Sequence, residues 1–147
     1  MIRTFTKSLA LLLLASATFT ACKKDKDDES LAVTKDNLVA TYTVASIKMK
    51  SGSTEKDVTN DPNYVEQCEK DDELTLKADM TLQIKDAGTQ CSPTSSGPGT
   101  WSITGNTLTI DGDENTIKSL SKNSLVLENS WTVSGVTFTI TTTLNRK

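Results

Sequence analysis

Val136-Thr137-Phe138-Thr139-Ile140-Thr141-Thr142-Thr143-Leu144 is the stretch that decides the fold. Val136, Phe138 and Ile140 alternate with Thr137, Thr139, Thr141 and Thr143, so an extended chain puts rings and branched aliphatics on one face and hydroxyls on the other. Threonine is β-branched yet polar, which suits the solvated face of a half-buried strand. Shorter runs with the same period precede it: Leu74 and Leu76, Leu82 and Ile84, Trp101 and Ile103, Leu108 and Ile110, Leu125 and Leu127, Trp131 and Val133. Turn chemistry separates them at Ala78-Asp79, Gly105-Asn106, Asp111-Gly112-Asp113, Lys122-Asn123 and Ser134-Gly135. Connections this short join antiparallel neighbours, because a parallel crossover needs about a dozen residues or more.

The expected strands are 39–50, 73–77, 81–85, 99–104, 107–110, 116–120, 124–128 with an extension to Val133, and 136–144. In the first, the apolar parity flips between Tyr42/Val44 and Ile47/Met49, which predicts a bulge. The one helical candidate is Pro62–Lys70, with Pro62 in a first-turn position after Asp61. The chain is therefore all-β. Eight meandering antiparallel strands with one apolar face predict an up-and-down barrel, which leaves no open sheet edge. Two stacked sheets are the competing solution.

The other end of the chain reads differently. Arg3 and Lys7 precede an apolar core, Leu9–Ala17, of about nine residues, where a spanning helix needs roughly 20. This is the layout of an export signal over residues 1–21. Phe19-Thr20-Ala21-Cys22 resembles the lipobox of bacterial lipoproteins, which implies cleavage before Cys22 and acylation of its thiol and new amine. Several acyl chains at roughly 0.8 kcal/mol per buried methylene make a stable membrane anchor. An ordinary secretory signal followed by an incidental cysteine is the alternative. Lys23–Ser30, "KKDKDDES", is too charged to build a core and reads with the residues up to 36 as a solvated tether. Lysine followed by acids just after the lipidated cysteine resembles the signal that sends some lipoproteins to the outer face of the outer membrane; a polar linker on the periplasmic face is the alternative.

Composition narrows what the remaining domain, residues 37–147, can do. Loss of Arg3 and Lys7 with the leader takes the formal charge from −3 to −5. With no basic patch, nucleic acid is not an expected partner. The chain has no histidine, which removes Ser-His-Asp and Cys-His machinery and most zinc sites. No cofactor or metal is expected, and the reading is non-enzymatic and monomeric. Cys68 and Cys91 are an even pair in an oxidising compartment, so a disulfide is the default, with free thiols the alternative. Their midpoint falls between residues 79 and 80, at the proposed Ala78-Asp79 turn, so an antiparallel hairpin would bring them face to face at its open end. Closing a loop of about 24 residues would contribute ~3 kcal/mol on the chain-entropy account.

The order Cys68-Glu69-Lys70-Asp71-Asp72-Glu73-Leu74, Ala78-Asp79-Met80-Thr81, Gly88, Cys91, Gly99-Thr100-Trp101, Gly105-Asn106-Thr107-Leu108 and Ile117-x-x-Leu120 resembles the lipocalin-like lipoproteins of Gram-negative bacteria over residues 37–147. Two places differ: Ala40-Thr41-Tyr42 replaces a Gly-Thr-Trp-like start, and Asp79-Met80-Thr81 replaces Asp-Gly-Thr. The resemblance implies a lipocalin-like barrel. An eight-stranded barrel of this kind holds one small ligand or is filled by its own side chains.

Tyr42, Trp101, Trp131 and Phe138 are the candidate ligand-lining rings, with plain core the competing role. "DGDEN" at Asp111–Asn115 starts like a calcium loop, but Thr116 stands where glycine is needed and Lys122 where the bidentate glutamate belongs, so a hairpin turn is expected. Asp71, Asp72 and Glu73 cluster carboxylates, but neighbours on an extended strand point to opposite faces and cannot share one substrate. "CSPTSSGPGT" at Cys91–Thr100 reads as an irregular loop. The leading expectation is a membrane-anchored binder of a small hydrophobic molecule or cell-envelope component. The rival is a module that contacts an envelope protein or glycan through its loops.

Overall fold

A strand cannot pair its own backbone N–H and C=O groups, so each alternating run must find neighbours. In the computed structural model, which describes residues 29–94 and 96–147, the runs find one another in a single antiparallel sheet. Its strands are β1 (Ala40–Ser51), β2 (Thr54–Asp57), β3 (Glu73–Leu76), β4 (Thr81–Lys85), β5 (Gly97–Thr104), β6 (Thr107–Ile110), β7 (Asp113–Leu120), β8 (Ser124–Val133) and β9 (Val136–Arg146). From β3 onward each strand pairs with the next in sequence, and β1 lies between β9 and β3. Eight strands thus close a ring, as the meander requires, and two stacked layers are ruled out. The ninth, β2, folds back as a hairpin on Lys48–Ser51, beyond the part of β1 that β3 covers. Its sequence, "TEKD", is exposed throughout and carries no apolar alternation, so no strand was expected there.

Register shifts between Val44 and Ser46, where the parity flip predicts a bulge. The extra residue keeps Ile47 and Met49 on the side of the sheet that carries Tyr42 and Val44. On the opposite side of β8 and β9 the hydroxyls pair across strands, Ser130 with Thr139 at 2.9 Å and Thr132 with Thr137 at 3.1 Å.

The two ends of the barrel differ. At one end lie the Lys77–Met80, Gly105-Asn106 and Ser121–Asn123 turns, and that end is sealed. Leu38, Leu76, Leu82, Trp101, Leu108, Leu120 and Leu125 are buried in one cluster with Leu31 and Val33 packed against it. The segment before β1 supplies part of the seal. Ser30 bridges Ser121, the Leu31 N–H donates to the Leu120 carbonyl at 2.8 Å, and the Lys122 ammonium meets the Glu29 carboxylate at 2.7 Å. The Thr34 hydroxyl then caps a single helical turn, Lys35–Leu38, by accepting from the Asn37 N–H, and Leu38 is fully buried. The expected tether through residue 36 is therefore docked from Glu29 onward, because Leu31, Val33 and Leu38 bury apolar surface that a solvated tether would leave in water.

At the other end lie the β1–β2 and β8–β9 turns, the 58–72 connection and the 86–96 loop. The helix expected over Pro62–Lys70 shrinks to a 3-10 turn, Gln67–Glu69. The Asp61 carboxylate accepts from the Asn63 N–H at 3.1 Å and fixes a local turn, and Glu66 is extended at φ −66, ψ 127, which interrupts any helix through it.

Candidate functional site

Near the open end, Tyr42 and Val44 of β1, Leu74 of β3, Ile84 of β4, Ile110 of β6 and Leu144 of β9 line a cavity of about 300 Å³ that is open to solvent on one side. The register explains the convergence: Tyr42 pairs with Leu74, Leu74 with Ile84, and Val44 with Leu144, so the six side chains share the inner face. Tyr42 is fully buried and its hydroxyl donates to the Leu38 carbonyl at 2.8 Å, which satisfies a helix-end acceptor. Burial pushes its phenol above the ordinary tyrosine range, against a small opposing pull from Arg146.

Two carboxylates complete the lining, Glu69 and Asp72, both from the connection that leads into β3. Burial, then repulsion from Glu66 and Asp72, raises the Glu69 carboxyl above its usual range. Asp72 accepts from the Ala87 N–H at 3.4 Å, and Asp71 from the Thr89 N–H at 2.9 Å. These acids tie the 86–96 loop to the start of β3. Gly88 between them has φ +66, and a Cβ there would overlap the Asp71 carboxylate, so glycine is required twice over. Glu73 instead takes Lys147 at 2.6 Å and Lys85 at 3.4 Å, and those lysines, Lys147 first, lower its pKa. The acidic run is thus shared between two tasks: Asp71 and Asp72 hold the 86–96 loop, and Glu73, the first strand residue, holds the lysines.

The Cys68–Cys91 disulfide is present, with Cα atoms 5.3 Å apart. It fastens the 3-10 turn to the loop, beside the residues that rim the cavity. The β3–β4 ladder ends at Glu73↔Lys85, and its register extended outward would put Cys68 opposite residue 90, so the 3-10 turn and the loop, not the hairpin ladder, bring the two cysteines together.

A family model for a lipocalin-like domain matches residues 38–127, more than half of the chain. The protein belongs to the lipocalin-like domain family. Neither the curated proteins nor the solved structures contain a match. The lipocalin-like match includes every cavity residue except Leu144, which β9 adds when it closes the ring. Such a domain suggests binding of a small hydrophobic ligand, and this lipocalin-like barrel has an apolar cavity in which to place one.

Of the four candidate rings, only Tyr42 lines the cavity. Trp101 is 3 % exposed in the sealed core, where its indole N–H donates to the Lys77 carbonyl at 2.9 Å. Trp131 is 42 % exposed and stacks on Phe138 with centroids 5.8 Å apart, on the β8–β9 hairpin beyond the mouth. Alternation from Leu127 keeps Trp131 on the inner side of the sheet, but β7 pairs with β8 only as far as Glu128, so Trp131 stands on the part of β8 that extends past that neighbour. Val44, Leu74, Ile84, Ile110 and Leu144 escaped notice as lining because aliphatics at strand period look like core wherever they lie. The break in parity after Val44 was the available clue. Asp111 and Gly112 form the β6–β7 turn, and the Asp111 carboxylate accepts from the Thr100 N–H at 2.7 Å. The export signal and Cys22 lie outside the described residues.

Proposed function

We propose that this protein is a membrane-anchored, non-enzymatic lipocalin-like lipoprotein whose barrel holds one small hydrophobic molecule. The observation that supports this most is the apolar cavity of about 300 Å³ at the open end, at the lower edge of the ~300–1,000 Å³ usual for small-molecule sites. Anchoring is the role of Cys22, acylated after removal of residues 1–21, in the outer membrane with the cell surface favoured over the periplasmic face. Cys22 stands seven residues before Glu29, and Glu29 docks beside Lys122 at the sealed end. Seven extended residues span at most roughly 25 Å. On this reading the tether attaches at the sealed end, opposite the cavity mouth.

Native mass spectrometry of the full chain after incubation with lipid extract tests the binding. Retention of one small molecule per chain supports it, and an empty barrel under varied extracts refutes it. Labelling with radioactive palmitate tests the anchor, and an unlabelled position 22 refutes that half.

One observation favours a second reading, contact with an envelope protein. Trp131, Val133 at 53 % exposure and Val136 at 44 % present an apolar surface on the β8–β9 hairpin, outside the barrel. Loss of partner capture on Trp131→Ser, with small-molecule binding intact, would separate the two roles.

A further inference from the structure

The end of β8 that overhangs the barrel is an open strand edge. The β8–β9 register runs without a shift, and the Arg146 N–H donates to the Asn123 carbonyl at 2.8 Å. Odd-numbered residues of β8 therefore turn their backbone groups toward β9, and even-numbered residues turn theirs toward β7. The β7–β8 ladder stops at Thr116 and Glu128. Past it, the N–H and C=O groups of Ser130 and Thr132 face no neighbouring strand among the described residues, and Ser130 to Val133 are exposed. The Asn129 side-chain amide reaches across to the Glu114 carbonyl at 2.8 Å, and there the two strands part around an open cleft of about 420 Å³.

The chemistry of this edge suits a further strand. The other free edge of the sheet, β2, is Thr54-Glu55-Lys56-Asp57, and charges along an edge discourage pairing. Ser130-Trp131-Thr132-Val133 carries no charge and no proline. Ser130 and Thr132 share the outer face with Thr139 and Thr137, to which their hydroxyls pair, while Trp131 and Val133 stand on the other face. A second copy of the chain fits badly. Antiparallel self-pairing centred on Trp131 puts Ser134 of the other copy opposite Glu128, where Thr116 already stands. A separate segment need only start at the cleft and run outward past Val133.

Resting on the second reading above, contact with an envelope protein, we infer that this edge takes one extended segment of that partner as an added antiparallel strand. Directly opposed residues share a face, so the partner residues that exchange N–H···O=C bonds with Ser130 and Thr132 lie on the hydroxyl side. Their neighbours in the segment lie beside Trp131 and Val133. The fitting segment is uncharged and alternates hydroxyl with apolar side chains, as β9 does on the opposite edge of β8.

The test is a fluorescence-anisotropy titration of the full chain with a labelled peptide that carries the sequence of residues 136–141, VTFTIT, followed by two lysines for solubility. Methylating the threonine nitrogens should weaken binding by about tenfold or more, because those groups face Ser130 and Thr132. Methylating the nitrogens of its apolar residues, which face away from β8, should change binding by less than about twofold. Thr132→Pro should reproduce the loss with the melting temperature and small-molecule binding retained, because proline is tolerated where the N–H points off an edge. Equal binding of the two methylated peptides overturns strand addition and leaves an apolar contact at Trp131 standing, which Trp131→Ser then abolishes. No binding of the unmodified peptide overturns the inference. A dimer in sedimentation that Thr132→Pro abolishes assigns the edge to a second copy and refutes a foreign segment. The methylated pair, measured on the wild-type chain, decides the matter even where Thr132→Pro fails to fold.

Discussion

Tyr42 joins three tasks in one side chain: it is core, it lines the cavity, and through its hydroxyl it closes the helical turn at Leu38. Tyr42→Phe leaves the Leu38 carbonyl without that donor in a buried place, so chemical denaturation should show a loss of about 1–2 kcal/mol with the barrel intact. Glu69 works in the opposite direction. Its pKa in the fold is raised above the ordinary 4.5, so the folded protein holds that proton more tightly than the unfolded chain. This contribution to stability is lacking at neutral pH and is gained as pH falls through the folded value toward 4.5. Glu29, Asp57, Asp61, Glu73 and Asp79 are lowered, Asp61 to about 2, and their contributions fade as the pH falls through the ordinary carboxylate range toward the folded values. Thermal melts from neutrality downward should therefore show a smaller acid loss in wild type than in Glu69→Gln. Identical pH dependence in the two proteins would refute the assignment. At this scale the sequence was legible where a residue's neighbours in the chain determine its role, as for Thr137 and Thr139, whose hydroxyls pair across β8 and β9 on the outer face. It was opaque where the role depends on what stands across the barrel, as for Leu74 and Ile110.

The β3–β4 hairpin shows how far one element can be read. Two cysteines placed about equally far from the Ala78-Asp79 turn predict a bridge beyond its open end; the disulfide is present, but it joins a 3-10 turn to the 86–96 loop one residue out of the hairpin register. Replacing both, Cys68→Ser with Cys91→Ser, should cost about 3 kcal/mol by removing a constraint on the unfolded chain. It should also loosen the rim of the cavity, so reduced ligand affinity is expected alongside the lowered melting temperature. The β8–β9 hairpin marks the limit. Its apolar alternation breaks at Asn129, within the polar run Glu128-Asn129-Ser130, and resumes at Trp131 and Val133, where β7 no longer pairs with β8. The two tryptophans separate these environments. Trp101→Ala should cost about 3–5 kcal/mol as a core truncation, and Trp131→Ala about 1 kcal/mol through lost stacking on Phe138. Comparable losses at both positions, measured by urea denaturation, would contradict the placement of Trp131 outside the barrel.

The whole molecule is a ring of eight strands with one sealed end and one open end. Closure was legible because short turns impose a meander and a meander of this length has two free edges to join. The sealing of one end was not, because the docked segment from Glu29 to Leu38 begins with charged residues that resemble a linker and becomes structural only where Leu31, Val33 and Leu38 meet the core. The cavity is what remains when that end takes up the large side chains and the open end is left with aliphatics. Its occupancy is the central claim, and a plug tests it most directly. Ile110→Phe enlarges a lining side chain into the empty space, so titration with octanol should show binding abolished while the melting temperature holds or rises. Octanol binding to Ile110→Phe with wild-type affinity would contradict the account, because the ligand would then lie somewhere other than the barrel.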